Sequence, residues 1–328
     1  MQAVLYFPKD DAIRRESFLK INNQINKQDK RYKLHTANAL WAQKEYPFLS
    51  DYFNLIQQYY GGKVTNLDFF NNTENSRVTI NNWIEEQTNN KIQNLIPAGI
   101  LHPLTRLVLT NAIYFKGFWL KQFDKNDTKQ EDFRISPDHK IKVQMMHLTG
   151  KEANFNYAET DKLQILELPY EGKDLSMLIL LPKGDDLKAT EESLNSENLA
   201  EWKKLFRIEE IDLYLPKFKF ETKYFMAQDL ANMGMATAFS EETADFTRMY
   251  DRIKAKRNLF ISAVIHQAFI DVNEKGTEAA EATAIIFKDS ISMPPKLFNA
   301  DHPFIFVIQD KETGNILFIG RISDPTKT

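Results

Sequence analysis

Residues 259–293 read LFISAVIHQAFIDVNEKGTEAAEATAIIFKDSISM, and this stretch decides the fold. Its first part, residues 259–272, is rich in β-branched and aromatic side chains, which predicts a long buried strand. The part that follows, residues 274–293, begins with small and polar residues that offer little to anchor it in a core, so we expect an exposed connection. A connection this long within a compact domain is usually functional or disordered. Because it has β-branched residues and no proline before Pro294, it could become a strand if a sheet offered an open position.

The segments around this stretch indicate a single α+β domain that spans residues 1–328. Residues 105–115 (TRLVLTNAIYF) are apolar on both faces, which predicts a strand at the centre of a sheet. Turn sequences at 171–173 and 312–315 predict hairpins, so most strand pairs should be antiparallel. The predicted helices cover residues 10–26, 48–60, 73–92, about 186–204 and about 226–234, and the other predicted strands cover residues 163–170, 175–182, 211–220, 303–310 and 315–322.

The composition excludes several classes of function. The net charge of −3 comes from 42 basic and 45 acidic residues that are interspersed, so we expect neither a nucleic-acid partner nor a membrane partner. The chain has no cysteine, which excludes disulfides, thiolate metal sites and a cysteine nucleophile. The histidines lack the spacing of metal ligands, and no GxSxG motif is present. We therefore expect no metal, no cofactor and no catalytic residue.

A series of short motifs along the chain resembles the serpin family. They are INNW at 80–83, LTNAIYFKG at 109–117, LPY at 168–170, LPKF at 215–218, EKGTEAA at 274–280, DHPF at 301–304 and FIGR at 318–321. The resemblance implies an α+β serpin-like fold, in which helices surround three mainly antiparallel sheets and a reactive-centre loop at about 274–293 is exposed. It also implies a metastable native state, because the largest sheet can accept one more strand; serpin loop insertion is itself an established example of strand addition.

The resemblance implies that insertion begins at a hinge spanning residues 274–283. A glycine supplies a pivot there, and small side chains after it can pass between two strands. The hinge residues are Glu274, Gly276, Thr277, Glu278, Ala279, Ala280, Glu281, Ala282 and Thr283. Glu281 fits poorly, because the family pattern turns its face of the strand inward, where a carboxylate is costly to bury. We expect insertion to slow at Glu281, so that the protein acts partly as a substrate.

Three further residues match positions that control the opening of the sheet in the family. Asn111 and His266 match a polar pair whose hydrogen bond joins neighbouring strands and helps to hold the sheet closed. The alternative for His266 is a core histidine that is satisfied by the backbone. Trp119 resembles the tryptophan at the top of the sheet, where the loop first enters, and its alternative is an ordinary core aromatic residue.

Counting from the hinge by the family's spacing puts the scissile bond at about Ser290–Ile291. A serine at the primary position suits the shallow pocket of elastase-like or subtilisin-like serine proteases. A shifted register would instead present Phe287, Lys288 or Met293 to other enzymes.

The start of the chain differs from the family pattern. Residues 2–7 resemble the end of the family's third helix, so two helices and a strand that normally precede it are lacking. Met1 could be an internal methionine, and a preceding signal peptide would then be lost as well. No signal peptide or membrane span is visible, and an extracellular location is expected only from the resemblance.

The expected function is inhibition of a serine protease by a monomeric suicide substrate. The protease would cut the loop and form an acyl-enzyme, and the freed part of the loop would enter the sheet before hydrolysis and distort the enzyme. The alternative is a non-inhibitory serpin-fold carrier, chaperone or storage protein, which Glu281 and the short start favour. No motif supports an enzyme.

Overall fold

The computed structural model describes residues 1–26, 32–151, 153–277 and 294–327. Close contacts divide the chain into two compact units. The first unit consists of Met1–Asp29, Leu34–Tyr114 and Glu221–Phe269, and the second consists of Lys30–Lys33, Phe115–Phe220 and Ile270–Thr328. The single domain expected from the sequence stays a prediction.

Helices and strands alternate as far as residue 118, and strands predominate in the described residues after it. The helices are α1 (Asp11–Ile25), α2 (Ser50–Tyr60), α3 (Thr73–Gln87), α4 (Leu187–Ser193), α5 (Ser196–Lys204) and α6 (Ala227–Leu230). The strands are β1 (Tyr32–Gln43), β2 (Lys63–Leu67), β3 (Leu107–Phe118), β4 (Lys129–Ser136), β5 (His139–Leu148), β6 (Asn154–Glu159), β7 (Leu163–Pro169), β8 (Leu175–Pro182), β9 (Arg207–Pro216), β10 (Phe218–Phe225), β11 (Ala263–Asn273), β12 (Gly276–Thr277), β13 (Lys296–Asn299), β14 (Phe304–Asp310) and β15 (Ile316–Ile322).

The first three helices lie in the predicted segments, although one of them ends early. α1 begins after Asp10, whose side chain accepts hydrogen bonds from two backbone N–H groups of the first turn. The sequence predicts that the third helix runs to residue 92, but α3 ends at Gln87. Asn89 and Asn90 have φ angles of 50° and 58°, and this left-handed backbone cannot continue a right-handed helix.

Other predicted segments are divided or shortened. The predicted strand 211–220 breaks after Pro216 into β9 and β10, since proline has no N–H group to continue a ladder. The predicted helix 186–204 becomes α4 and α5, because Asn195 caps α5 with its side chain. The predicted strand 259–272 is shortened at its start, because β11 begins at Ala263 and residues 259–262 lie outside it.

One sheet has six strands in the order β10-β11-β12-β3-β1-β2. β3 therefore lies inside the sheet, as the apolar run at 105–115 predicts, and continues to Phe118. In the first unit, residues 108–114 of β3 pair in parallel with residues 263–269 of β11. β1 and β2 also pair in parallel, and neither strand is predicted from the sequence, because both mix polar and apolar residues without clear alternation.

The other sheet has nine strands, and β9 divides it into two parts. Its strand path is β15-β14-β8-β7-β6-β9-β5-β4, with β13 paired to β9. Residues 207–210 of β9 pair with β6, whereas residues 211–216 pair with β13 and β5. The predicted three sheets are thus present as the six-stranded sheet and these two parts. Antiparallel pairs predominate among the described strands, as predicted, and the hairpins β7–β8 and β14–β15 form at the predicted turns.

Each unit has an apolar core of its own. In the second unit every residue of β8 and β14 is buried, as their continuous apolar runs predict. In the first unit Ile80 and Ile84 of α3 pack with Ala112 of β3 and Ile265 of β11. Burying such an isoleucine contributes about 1.5–3 kcal/mol, so α3 is fixed mainly by this face. Across the described ranges, no helix has both the length and the apolar character needed to cross a membrane.

Candidate functional site

The two-residue strand β12 lies between β11 and β3 in the second unit. Gly276 and Thr277 pair antiparallel with residues 117–118 of β3 on one side. On the other side they pair antiparallel with residues 272–273 of β11. The first residues of the predicted hinge therefore occupy a strand position between two longer strands. We call β12 and the side chains of Trp119, Tyr170, Lys217 and Glu274 around it the β12 site.

A close approach of two backbones makes glycine necessary at position 276. The φ angle of Gly276 is 150°, which residues with a side chain rarely adopt. A Cβ atom here would lie 2.1 Å from the carbonyl oxygen of Gly117 and 2.7 Å from the Cα atom of Phe118. Both are backbone atoms of β3 and cannot move without distorting that strand. The sequence explains this glycine as a pivot, and the structure adds a steric reason for it.

The buried Thr277 bonds to one aromatic side chain, which in turn stacks on a second. The hydroxyl groups of Thr277 and Tyr170 form a hydrogen bond of 2.9 Å, and both side chains are fully buried. The ring of Tyr170 stacks on Trp119 with centroids 4.6 Å apart, and Nε1 of Trp119 donates to the carbonyl oxygen of Asn273 at 3.0 Å. Burial raises the pKa of Tyr170 well above its usual value. Its hydroxyl group therefore remains protonated and able to donate.

Glu274 fixes the turn that leads into β12. Its carboxylate accepts hydrogen bonds from Nζ of Lys217 at 2.9 and 3.0 Å and from the hydroxyl group of Thr128 at 2.9 Å. Its carbonyl oxygen accepts a hydrogen bond from the backbone N–H of Phe123 at 2.8 Å. Burial alone would raise the pKa of the Glu274 carboxyl, but the hydrogen bonds from Lys217 and Thr128 bring it below its usual value. The carboxylate is ionised at neutral pH and pairs with Lys217.

In the first unit β3 and β11 bond to each other directly, and we call Val108–Tyr114 and Ala263–Phe269 the paired segment. Asn111 is opposite His266, and Oδ1 of Asn111 lies 2.5 Å from Nδ1 of His266. The amide nitrogen of Asn111 donates to Oδ1 of Asn38 on β1. Because Oδ1 of Asn111 can only accept, Nδ1 of His266 carries the hydrogen. Burial lowers the pKa of His266, which keeps the ring neutral near pH 7.

The structure brings the predicted site residues together in two groups. Glu274, Gly276, Thr277 and Trp119 meet in the β12 site, and Asn111 and His266 meet in the paired segment. Their predicted roles in starting insertion and in holding the sheet closed stay predictions. The other loop predictions lie outside the described residues: Glu278, Ala279, Ala280, Glu281, Ala282, Thr283, Ser290 and Ile291.

Sequence reasoning misses four partners of these residues. Tyr170 and Lys217 belong to the LPY and LPKF motifs, so a signal exists, but the motifs do not reveal which residues they contact. Asn38 and Thr128 have no local signal, because their contacts come from distant segments. In the part of the chain that the structure describes, no cluster of three or more His, Cys, Asp or Glu residues could hold a metal ion.

Comparison with known proteins agrees with this geometry. The family model described as serpin (serine protease inhibitor) matches residues 1–325. An uncharacterized serpin-like protein of Methanosarcina acetivorans is 43% identical over 327 residues, which cover 98% of this chain and 75% of that protein. The leukocyte elastase inhibitor of Homo sapiens is 41% identical over 315 residues, which cover 94% of this chain and 82% of the inhibitor. The structure of uncleaved ovalbumin gives a TM-score of 0.87 at 33% identity, covering 99% of this chain and 86% of that one.

In one sheet the short strand β12 lies antiparallel to β3 and to β11, and these two strands are parallel to each other. The matches identify the family that has this fold. The chain belongs to the serpin family, and the serpin-like fold predicted from its sequence is confirmed.

Proposed function

We propose that this chain inhibits serine-type endopeptidases as a suicide substrate, by inserting its cleaved reactive-centre loop between β3 and β11. The position of β12 carries the proposal. Gly276 and Thr277 already hold a strand position that is antiparallel to both neighbours. Residues after Thr277 would continue the same strand and separate the two strands of the paired segment.

The free energy for trapping would come from the change in strand pairing. Seven residue pairs join β3 and β11 directly in the paired segment, and these strands are parallel. An inserted strand would replace one parallel ladder by two antiparallel ladders, and antiparallel pairing is slightly more stable per residue. The new strand would also bury the inward-facing side chains of the loop. Insertion would therefore be downhill once cleavage frees one end of the loop.

The target protease would supply the chemistry. Its serine would attack the carbonyl carbon of Ser290, the bond from Ser290 to Ile291 would break, and Ile291 would leave as a free amine. The ester that joins the protease to Ser290 would normally be hydrolysed by water. Insertion before that step would distort the protease and preserve the ester. The 41% identity to a leukocyte elastase inhibitor supports a serine protease as the partner.

A second candidate function is that of a non-inhibitory carrier, chaperone or storage protein. Glu281 favours it, because a carboxylate on the inward face of an inserted strand would oppose insertion. The structural matches include thyroxine-binding globulin in complex with thyroxine, with a TM-score of 0.83 at 29% identity. The two functions differ in whether a cleaved loop keeps the protease attached.

Incubation with elastase, subtilisin, trypsin and chymotrypsin, followed by denaturing gel electrophoresis, tests the proposal. We expect a denaturant-resistant complex with at least one of these enzymes. Glu281→Ala should raise the fraction of complex, whereas Thr277→Arg should abolish it, because Thr277 is fully buried and an arginine cannot take its place. Cleavage with a large gain in thermal stability but no complex would favour the second function. Cleavage with neither would reject loop insertion itself.

A further inference from the structure

A cavity of about 300 Å³ opens in the first unit between three segments of the chain. Its walls are the turn at residues 43–47 after β1, Phe70, Arg106 immediately before β3, and residues 254–257 before β11. This volume lies at the lower end of the range for small-molecule sites in proteins. The cavity can hold a compact ligand, and it is too small for more than a short part of an extended polymer.

Half of the residues that line this cavity are cationic. Five of its ten residues are cations, namely Lys44, Arg106, Lys254, Lys256 and Arg257, whereas Glu45 is the one acidic residue. Two of these cations have carboxylate partners outside the lining. Lys254 lies 3.2 Å from Asp251, and Arg257 lies 3.8 Å from Glu241.

The other three cations, Lys44, Arg106 and Lys256, form no such ion pair with a carboxylate of the described residues. Among the described residues, no carboxylate lies within ion-pair distance of Arg106 or Lys256. Hydrogen bonds from Asn71 lower the pKa of the half-buried Asp68, and the charge of Lys44 adds to this effect, so Asp68 partly balances Lys44. Arg106 donates to the carbonyl oxygens of Pro103 and Thr105 through Nη1 alone, both at 3.0 Å. Its Nε and Nη2 groups donate to no described residue, so they are available to an anion.

The walls are fixed by contacts of their own. The hydroxyl group of Tyr46 donates to the carbonyl oxygen of Arg257 at 2.9 Å, and the Tyr46 ring lies 5.5 Å from that of Tyr250. The backbone N–H of Asp251 donates to the carbonyl oxygen of Pro47 at 2.8 Å. The turn after β1 is therefore tied to the segment before β11 without a ligand. A site that is already formed loses less conformational entropy when it binds.

We propose that this cavity binds a compact oligophosphate, either free or as the tail of a nucleotide. Several closely spaced negative charges match its set of cations better than a single phosphate would. The planar guanidinium of Arg106 suits phosphate oxygens, which it can bind through two parallel N–H groups. Phe70 and Tyr46 also line the cavity and give an aromatic surface on which a base could stack.

Isothermal titration calorimetry with sodium tripolyphosphate, at constant ionic strength, tests this assignment on the whole protein. We expect saturable binding at one site per chain and a rise in the thermal unfolding midpoint, because the ligand would join the segments next to β1, β3 and β11. Lys256→Gln should weaken binding about tenfold, since it removes one charge-assisted hydrogen bond. Arg252→Gln is the matched control, because it removes one charge from the same segment but lies outside the lining.

The outcomes separate a specific site from a general charge effect. Binding by Arg252→Gln should equal that of the unaltered protein, and both variants should keep the unligated unfolding midpoint. ATP that binds more tightly than tripolyphosphate would show that the base contributes, whereas equal affinities would point to the free oligophosphate, and either result supports the site. The assignment would be overturned if binding of tripolyphosphate did not saturate, or if sulfate or AMP bound with the same affinity. It would also be overturned if Lys256→Gln and Arg252→Gln weakened binding equally. No protease enters this test, so its result is independent of the inhibitor function.

Discussion

β3 and β11 are joined in different ways in two regions of the molecule. In the paired segment they bond to each other directly, and successive hydrogen bonds between the side chains of His266, Asn111 and Asn38 connect them to β1. In the β12 site each of them bonds to β12 instead. The contacts there are a tight backbone approach, a buried aromatic stack and an ion pair. In the β12 site a strand lies between β3 and β11, whereas the proposed insertion would first have to break specific polar contacts in the paired segment.

The two regions also differ in how sharply they depend on single atoms. A hydrogen bond makes a net contribution of about 1 kcal/mol to the free energy of unfolding. The hydrogen bonds among Asn38, Asn111 and His266 therefore restrain the paired segment only modestly. In the β12 site, a single Cβ atom at Gly276 would overlap the backbone of β3. We therefore expect substitutions in the β12 site to have larger effects on stability than substitutions in the paired segment. Four experiments can contradict or refine this comparison.

Gly276→Ala should have the largest effect. The added Cβ atom would lie 2.1 Å from the carbonyl oxygen of Gly117, so β12 must move away from β3. We expect a loss of about 3 kcal/mol in the free energy of unfolding, measured by denaturant titration. Gly99→Ala is the control, because Gly99 has a φ of 84° but no atom within 4 Å of the added Cβ. Equal losses in the two variants would show that backbone strain, rather than contact with β3, explains Gly276.

Glu274→Gln should have the next largest effect and should depend on pH. The pKa of Glu274 is below its usual value of 4.5, so its contribution is fully present above that pH and is lost as the pH falls through the folded pKa. We expect a loss of about 2 kcal/mol at pH 7 that shrinks when unfolding is measured at progressively lower pH below 4.5. Glu192→Gln is the control, since Glu192 and Lys188 form an exposed pair at 3.7 Å. A loss that stays constant down to pH 3 would contradict the ion pair.

Tyr170→Phe should destabilise the β12 site to a smaller extent. It removes the hydrogen bond to Thr277 and leaves a buried hydroxyl group without its partner, at a cost of about 1–2 kcal/mol. Thr277→Val should cost a similar amount, and the double variant should cost less than the sum of the two single variants. A double-mutant cycle from denaturant titrations measures this coupling. Strict additivity would mean that the two hydroxyl groups contribute independently.

His266→Gln should have the smallest effect and should change the pH profile of the paired segment. Burial lowers the pKa of His266 below 6.5, so its protonation opposes folding, and stability should decline as the pH falls below that value. The variant should lose this decline, of less than about 1 kcal/mol, in thermal unfolding measured from pH 7.5 to 5. His139→Gln replaces an exposed histidine on β5 and should leave the profile unchanged. If both variants keep the decline, another group is responsible.

The pattern of apolar residues along the sequence correctly predicts those strands that consist of a continuous apolar run. β8 and β14 are wholly buried, and β3 lies inside its sheet, as their apolar runs predict. β1 is missed because its polar residues are satisfied by distant partners, such as the Asn111 amide that donates to Asn38. The sequence pattern also predicts that α3 continues to residue 92, whereas the helix ends at Gln87 because Asn89 and Asn90 adopt a left-handed backbone.

By itself, the sequence determined the α+β class, the long strand that ends near residue 273, and the glycine and threonine that follow its turn. The likeness of its motifs to serpins also singled out Asn111, His266 and Trp119. Only the tertiary structure decided that Gly276 meets the Gly117 carbonyl, that Tyr170 bonds to Thr277, and that Lys217 balances Glu274. The reason is that propensity and periodicity act over a few neighbouring residues, whereas these contacts join residues that are far apart in the chain and meet only after folding.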